Sequence, residues 1–205
     1  VKIRLLITNA MFAVLAALSY WAYESSQLFV LRPGEAGTET YTLLFDTAII
    51  GIPVALLIGI FLGTLNYRKK KDRFINGQVE RHDEIFFIQH WTNAIGFVIC
   101  IISGLVLGTL FIPRSVTSVE SIGFAMNMHY VGVLFIFFGA GYYVTKGIAT
   151  GEIKHMMPRK GDLSKMIAHY KAKIFKNVEA PKEEKFIAAE RVVFPLWIIG
   201  VSGIV

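Results

Sequence analysis

"FFIQHWTNAIGFVICIISGL", Phe86 to Leu105, is the stretch that decides how this chain is read. It carries no formal charge, and its 20 residues reach ~30 Å as a helix, the thickness of a bilayer's hydrocarbon core. One histidine, His90, sits just inside one end. A second apolar run, Phe124 to Lys146, holds His129. An ionisable side chain within a membrane helix is costly and marks a functional position by default. Two intramembrane imidazoles, with no other buried ligand type, point to axial ligation of haem iron, a cofactor that a helical bundle can enclose. The plainer reading of each is a helix–helix hydrogen bond, or a side chain reaching water from near a helix end.

The bulk properties agree with a membrane setting. Of 205 residues, 54% are hydrophobic, and the mean hydropathy is +0.54, too apolar for an ordinary soluble domain of this length. The single cysteine, Cys100, lies inside an apolar span, so there is no disulfide framework and no thiolate set for an iron-sulfur cluster. The net charge of +6 comes from basic residues beside hydrophobic runs, where membrane orientation and anionic lipid explain it. Nucleic acid is excluded as a partner on that distribution.

The expected fold is all-α: a polytopic transmembrane helical bundle with four complete spans and the start of a fifth. The spans run Leu5 to Tyr23, Leu43 to Leu65, Ile85 to Ile112 and Phe124 to Lys146, with the fifth beginning near Val192. Tyr20, Trp21 and Tyr23 make the first a retained span with an aromatic belt, not a cleaved signal peptide. Counted by alternate sides, Lys and Arg divide 19 to 2, Arg32 and Arg114 being the two. That bias places the N-terminus and both long basic segments in the cytoplasm. His90 then lies near the cytoplasmic face and His129 near the external one. About 17 residues of helix, or ~25 Å, separate them, which calls for two haems.

Packing signals point to a tight bundle. Gly59 with Gly63, and Gly104 with Gly108, form small-xxx-small pairs. Gly96 and Gly132 serve the same purpose or clear space for a flat macrocycle. Pro53 is expected to kink the second span, and Asp46 to reach water at its external end. Trp91, Tyr67, Tyr142 and Tyr143 read as an aromatic belt, with Trp91 also able to edge a haem. Asp162 is expected to cap a helix whose Leu163, Met166, Ile167, Tyr170 and Ile174 share one face, with lysines elsewhere. Such a helix lies on the membrane surface and meets anionic head groups. His82, His155 and His169 fall outside the spans, and Lys182 to Lys185 read as a solvated turn.

Three stretches resemble one family. "HWTNAIGFVICIISGL" from His90 looks like the first ligand helix of the cytochrome b (gamma) subunits of membrane-bound formate dehydrogenases and related hydrogenase cytochromes, with Phe97 and Ser103-Gly104 in place. "MHYVGVLF" from Met128 resembles the second ligand helix, Gly132 following the histidine by three. "HMMPRKGDL" from His155 is similar to the family's cytoplasmic loop, and "KFIAAERVVF" to the start of its third helix. The resemblance covers residues 81–205 as a diheme domain and leaves 1–80, a two-helix membrane hairpin, unmatched.

The resemblance implies two haems b, one on His90 and one on His129, with Gly96, Gly132 and Glu190 in the cofactor-binding set. It implies an electron-transfer subunit between an extracytoplasmic iron-sulfur subunit, serving a catalytic dehydrogenase, and the quinone pool of a bacterial or archaeal inner membrane. Charge moved inward while protons are consumed inside is worth ~2.3 kcal/mol per charge per 100 mV. One departure stands out: where the formate dehydrogenase branch shows Asn-Ala-Gly-Gln, this chain has Ile187-Ala188-Ala189-Glu190, leaving Glu190 to handle protons. The resemblance also implies that the native polypeptide continues past Val205 into a helix whose two histidines pair with His90 and His129. Competing readings are a stand-alone haem b reductase and a non-redox anchor or transporter.

Overall fold

The computed structural model describes residues 2–31, 43–65, 73–75, 78–80, 84–109, 111–175, 181 and 186–203. His82, Tyr67 and Lys182 to Lys185, read above from sequence, lie outside them. Eight helices and one two-stranded antiparallel hairpin make up the described chain. In order these are α1 (Lys2–Leu31), α2 (Leu44–Thr47), α3 (Gly51–Leu65), β1 (Arg73–Ile75), β2 (Gln78–Glu80), α4 (Glu84–Leu107), α5 (Val119–Thr150), α6 (Ile153–Met156), α7 (Asp162–Ile174) and α8 (Ala188–Gly203). In the hairpin Phe74 faces Val79. Among the described residues, three stretches are long and apolar enough to cross a membrane: Leu6–Ser26 of α1, Phe87–Leu107 of α4, and the whole of α5.

The expected second span is interrupted. α2 ends at Thr47, α3 starts at Gly51, and the 15 residues of α3 reach only ~22 Å. Pro53 does not kink a continuous helix; it occupies the first turn of α3, where its missing N–H is an orphan in any case. The third run also ends earlier than its composition indicates. Gly108 adopts φ 92°, its N–H bonds the Leu105 carbonyl at 3.2 Å, and α4 stops there. Only glycine takes that left-handed conformation without cost.

The chain forms two compact units. The first contains residues 1–62 and 82–143, the second 63–81 and 144–205. In the first unit the core gathers on Ala22, Leu44, Tyr130, Val131 and Phe135, so residues of α1 and α2 share a core with α5. Asn127 ties α5 to the start of α2 and to α1. Fully buried, its Oδ1 accepts the Leu44 N–H at 2.8 Å and its Nδ2 donates to the Ala22 carbonyl at 3.2 Å. One turn on, the Tyr130 hydroxyl donates to the Ala48 carbonyl. Within the break the backbone bonds are local, the Gly51 N–H to the Ala48 carbonyl at 2.8 Å and the Val54 N–H to the Ile50 carbonyl at 3.2 Å, and α5 adds the Tyr130 hydroxyl there.

Glycines bring α5 close to two neighbours. A Cβ on Gly59 would collide with the Phe138 carbonyl, and one on Gly141 would lie 2.5 Å from the Leu56 carbonyl. Gly96 and Gly132 face each other, each within 2.9 Å of the other's carbonyl measured from an added Cβ. Both are therefore helix-crossing residues of the kind that small side chains permit. The other expected pair does not pack: Gly104 has open space beside it, and Gly108 ends its helix. Tyr142 is buried and does not belong to an outward aromatic belt, whereas Trp91 is exposed.

In the second unit α8 packs on α6 and α7, burying Met156, Phe186, Ala188, Ala189 and Phe194. Phe194 and Trp197 stack at 6.1 Å.

Candidate functional site

His129 projects from the N-terminal half of α5 and is half-buried. Its Nδ1 lies 2.9 Å from the Ser103 hydroxyl on α4, and Ser103 is itself buried. The hydroxyl proton has other acceptors, the Ile99 carbonyl at 2.7 Å and the Cys100 carbonyl at 3.2 Å. With that proton given to the helix, the Ser103 oxygen accepts from the ring. In the tautomer with the proton on Nδ1, the lone pair is on Nε2, as a metal ligand needs. The Cys100 thiol donates to the His129 carbonyl at 3.7 Å, a second tie between α4 and α5 at this level.

The ring has aromatic company from segments outside the matched region. Phe45 of α2 lies 6.4 Å from the His129 ring and packs edge-on to Tyr130 at 5.2 Å. Trp21 of α1 approaches Tyr130 edge-on at 6.1 Å. The N-terminal helices therefore wall the neighbourhood of His129.

His90 is placed differently. It is exposed on α4, with Trp91 beside it at 5.9 Å between ring centroids. Because His129 bonds Ser103, the two histidines are 13 positions apart along α4, or ~20 Å. That is shorter than the ~25 Å read from sequence, and still too far for one iron. Gly96 and Gly132, expected either to pack helices or to clear space for a macrocycle, lie where α4 and α5 approach each other closely. Among the described residues no group of three or more His, Cys, Asp or Glu is placed to hold a metal ion. As a haem site the arrangement fits at one point, His129, whose Nδ1 is held by Ser103.

In the second unit the sequence reading missed the strongest polar contact. Asp162 is not the cap of α7; Gly161 holds that position without a side-chain bond. The Asp162 carboxylate is buried and takes two hydrogen bonds from Arg191 of α8, Nη2 to Oδ1 at 2.7 Å and Nε to Oδ2 at 2.8 Å. The Arg159 N–H adds a third at 2.8 Å, and the remaining Arg191 nitrogen donates to the Phe186 carbonyl at 2.7 Å. Hydrogen bonds from Arg191 foremost, and then from Arg159, hold the Asp162 carboxyl well below the usual range despite its burial. Arg191, inside the quoted "KFIAAERVVF", was the available signal: an arginine at the head of an apolar helix needs an acid.

Glu190 turns back on its own helix. Its Oε2 accepts the Ile187 N–H at 3.0 Å, the reciprocal half of a capping box at the start of α8. His155 is exposed, and His169 is half-buried on α7.

No family model matches the chain, and no curated protein or solved structure matches it. The site's own chemistry is what bears on function.

Proposed function

We propose that this chain is a membrane-embedded electron-transfer subunit that carries haem b, with His129 as one axial ligand. The observation that carries the reading is the Ser103–His129 hydrogen bond, 2.9 Å long between a buried hydroxyl and Nδ1. Metal-ligating histidines characteristically give their second nitrogen to such a partner, which fixes the tautomer and the ring's orientation. When bound, haem supplies reversible one-electron chemistry at iron, and the protein supplies position and potential. Ser103 holds the ring, the Gly96–Gly132 crossing holds its two helices in register, and Phe45 and Tyr130 keep its surroundings apolar.

His90 serves a second haem at a separate level on the outward face of α4, with Trp91 beside it. α1, the α2–α3 pair, α4 and α5 make four spans, oriented with the N-terminus in the cytoplasm on the 19 to 2 distribution of basic residues. The motif resemblance supports a role like that of formate dehydrogenase gamma subunits, between an extracytoplasmic iron-sulfur partner with its dehydrogenase and the quinone pool. Quinone handling has the least support, because Glu190 is engaged at the start of α8.

A second reading draws on the same hydrogen bond. His129 and Ser103 then simply bolt α4 to α5 in a non-redox membrane anchor. A dithionite-reduced minus oxidised visible spectrum of the purified protein separates the two. A haem b α-band is expected; its absence from protein purified folded under haem-replete expression supports the anchor and removes the electron-transfer reading.

A further inference from the structure

α7 has one face covered by α8 and a second, apolar face that is exposed. Asp162, Met166, His169 and Ala172 fall on the side that packs on α8 and are buried or half-buried. Roughly 100° around the helix, Leu163, Ile167, Tyr170 and Ile174 form a continuous stripe at intervals of four, three and four residues. All four are exposed, Leu163 by 59% and Ile174 by 72%. Phe175, immediately after the helix, is exposed as well. Lys171 and Lys173 flank the stripe on either side, and the Lys173 ammonium stands 5.9 Å over the Tyr170 ring. The side chain thus lies along the apolar surface with its charge carried to the edge.

We propose that α7 lies in the plane of the membrane and docks on anionic phospholipid, with the Leu163–Ile174 stripe among the acyl chains and Lys171 and Lys173 on the phosphates. Charge complementarity selects this occupant. A protein partner's apolar groove would leave the two flanking ammonium groups to find acids, whereas an anionic leaflet provides phosphates at the depth where acyl chains begin. The bidentate Asp162–Arg191 pair pins the first turn of α7 to the first turn of α8, so the stripe is presented by a fixed helix and not by a loose one. The inference is independent of the haem reading.

The test uses the full chain reconstituted in phosphatidylcholine vesicles containing phosphatidylglycerol. A bimane fluorophore is placed on Ile167→Cys, on Leu163→Cys as a second stripe position, and on Lys165→Cys on the far side. Native Cys100 is buried, so the unsubstituted protein serves as the labelling blank. Quenching by doxyl-labelled lipid is expected at both stripe positions, about twofold stronger from labelled phosphatidylglycerol than from labelled phosphatidylcholine, and lost at position 165. Lys171→Gln with Lys173→Gln should abolish the preference for the anionic lipid. Absence of lipid quenching at both stripe positions overturns the docking, and equal quenching by the two lipids overturns the anionic assignment.

Discussion

Replacing Asp162 with alanine leaves the Arg191 guanidinium buried without its acid. The structure sets the scale of the loss. Arg191 is 2% exposed and Asp162 3%, so neither charge has water to fall back on. Two charge-assisted hydrogen bonds disappear, and the Arg159 N–H loses its acceptor. Breaking a buried pair from one side costs about 3–5 kcal/mol. The reverse change, Arg191→Met, strands the carboxylate and the Phe186 carbonyl at comparable cost. The double variant Asp162→Leu with Arg191→Met removes both charges, and a coupling of about 2 kcal/mol or more relative to the summed single changes is expected. Hydrogen exchange of the α7 amides, followed by mass spectrometry in detergent micelles, reads the opening of this helix from α8. Either single change should raise exchange by about a hundredfold or more, with much of that protection restored in the double variant. Because the folded pKa of Asp162 is depressed, the pair's contribution is fully present above the unfolded value of about 3.9 and is lost as pH falls through the folded pKa. Exchange corrected for intrinsic rate should therefore be flat between about pH 5 and 8. Unchanged α7 protection in both single variants, or strictly additive costs in the double, would refute this account of the pair.

Asn127→Leu orphans the Leu44 N–H at the start of α2 and removes a second hydrogen bond to the Ala22 carbonyl, and should cost about 1–3 kcal/mol, measured as a lowered midpoint of thermal unfolding in detergent. Gly132→Val drives a side chain into the Gly96 carbonyl and the Cys100 sulfur and should lower that midpoint further, whereas Gly104→Ala, with open space beside it, should raise stability by up to about 1 kcal/mol. Ser103→Ala should weaken haem retention about tenfold, read by haem transfer to an apo-acceptor protein, while leaving the helices folded.

The long apolar helices were readable in the sequence because a run of some 20 uncharged residues permits few other structures. The break in the second run was not. Residues Ala48 to Ile50 are as apolar as their neighbours, and the side chain that reaches the break, Tyr130, comes from a helix about eighty positions away. The polar Asn127 inside "FAMNMHY" signalled a backbone partner, which is the N–H at the start of α2 and not the break itself. Gly96 and Gly104 look alike as members of glycine-bearing helix faces, yet one touches α5 and the other touches nothing; which face turns inward is decided by tertiary packing. Asp162 had the composition of an N-cap, and 29 residues separate it from the arginine that takes it. At the candidate site the residue type and membrane depth singled out His129, while the hydroxyl that orients it became visible only once α4 and α5 were set side by side.

The haem content of His129→Ala beside that of the unsubstituted protein tests the functional account most directly. Both are purified in the same detergent after expression with haem supplied, and their content is measured by pyridine haemochrome against protein concentration. Haem b is expected in the unsubstituted protein, with the component that depends on His129 missing from the variant while circular dichroism remains helical. Full haem content in a folded His129→Ala, or no haem b in either protein, would contradict ligation at this histidine.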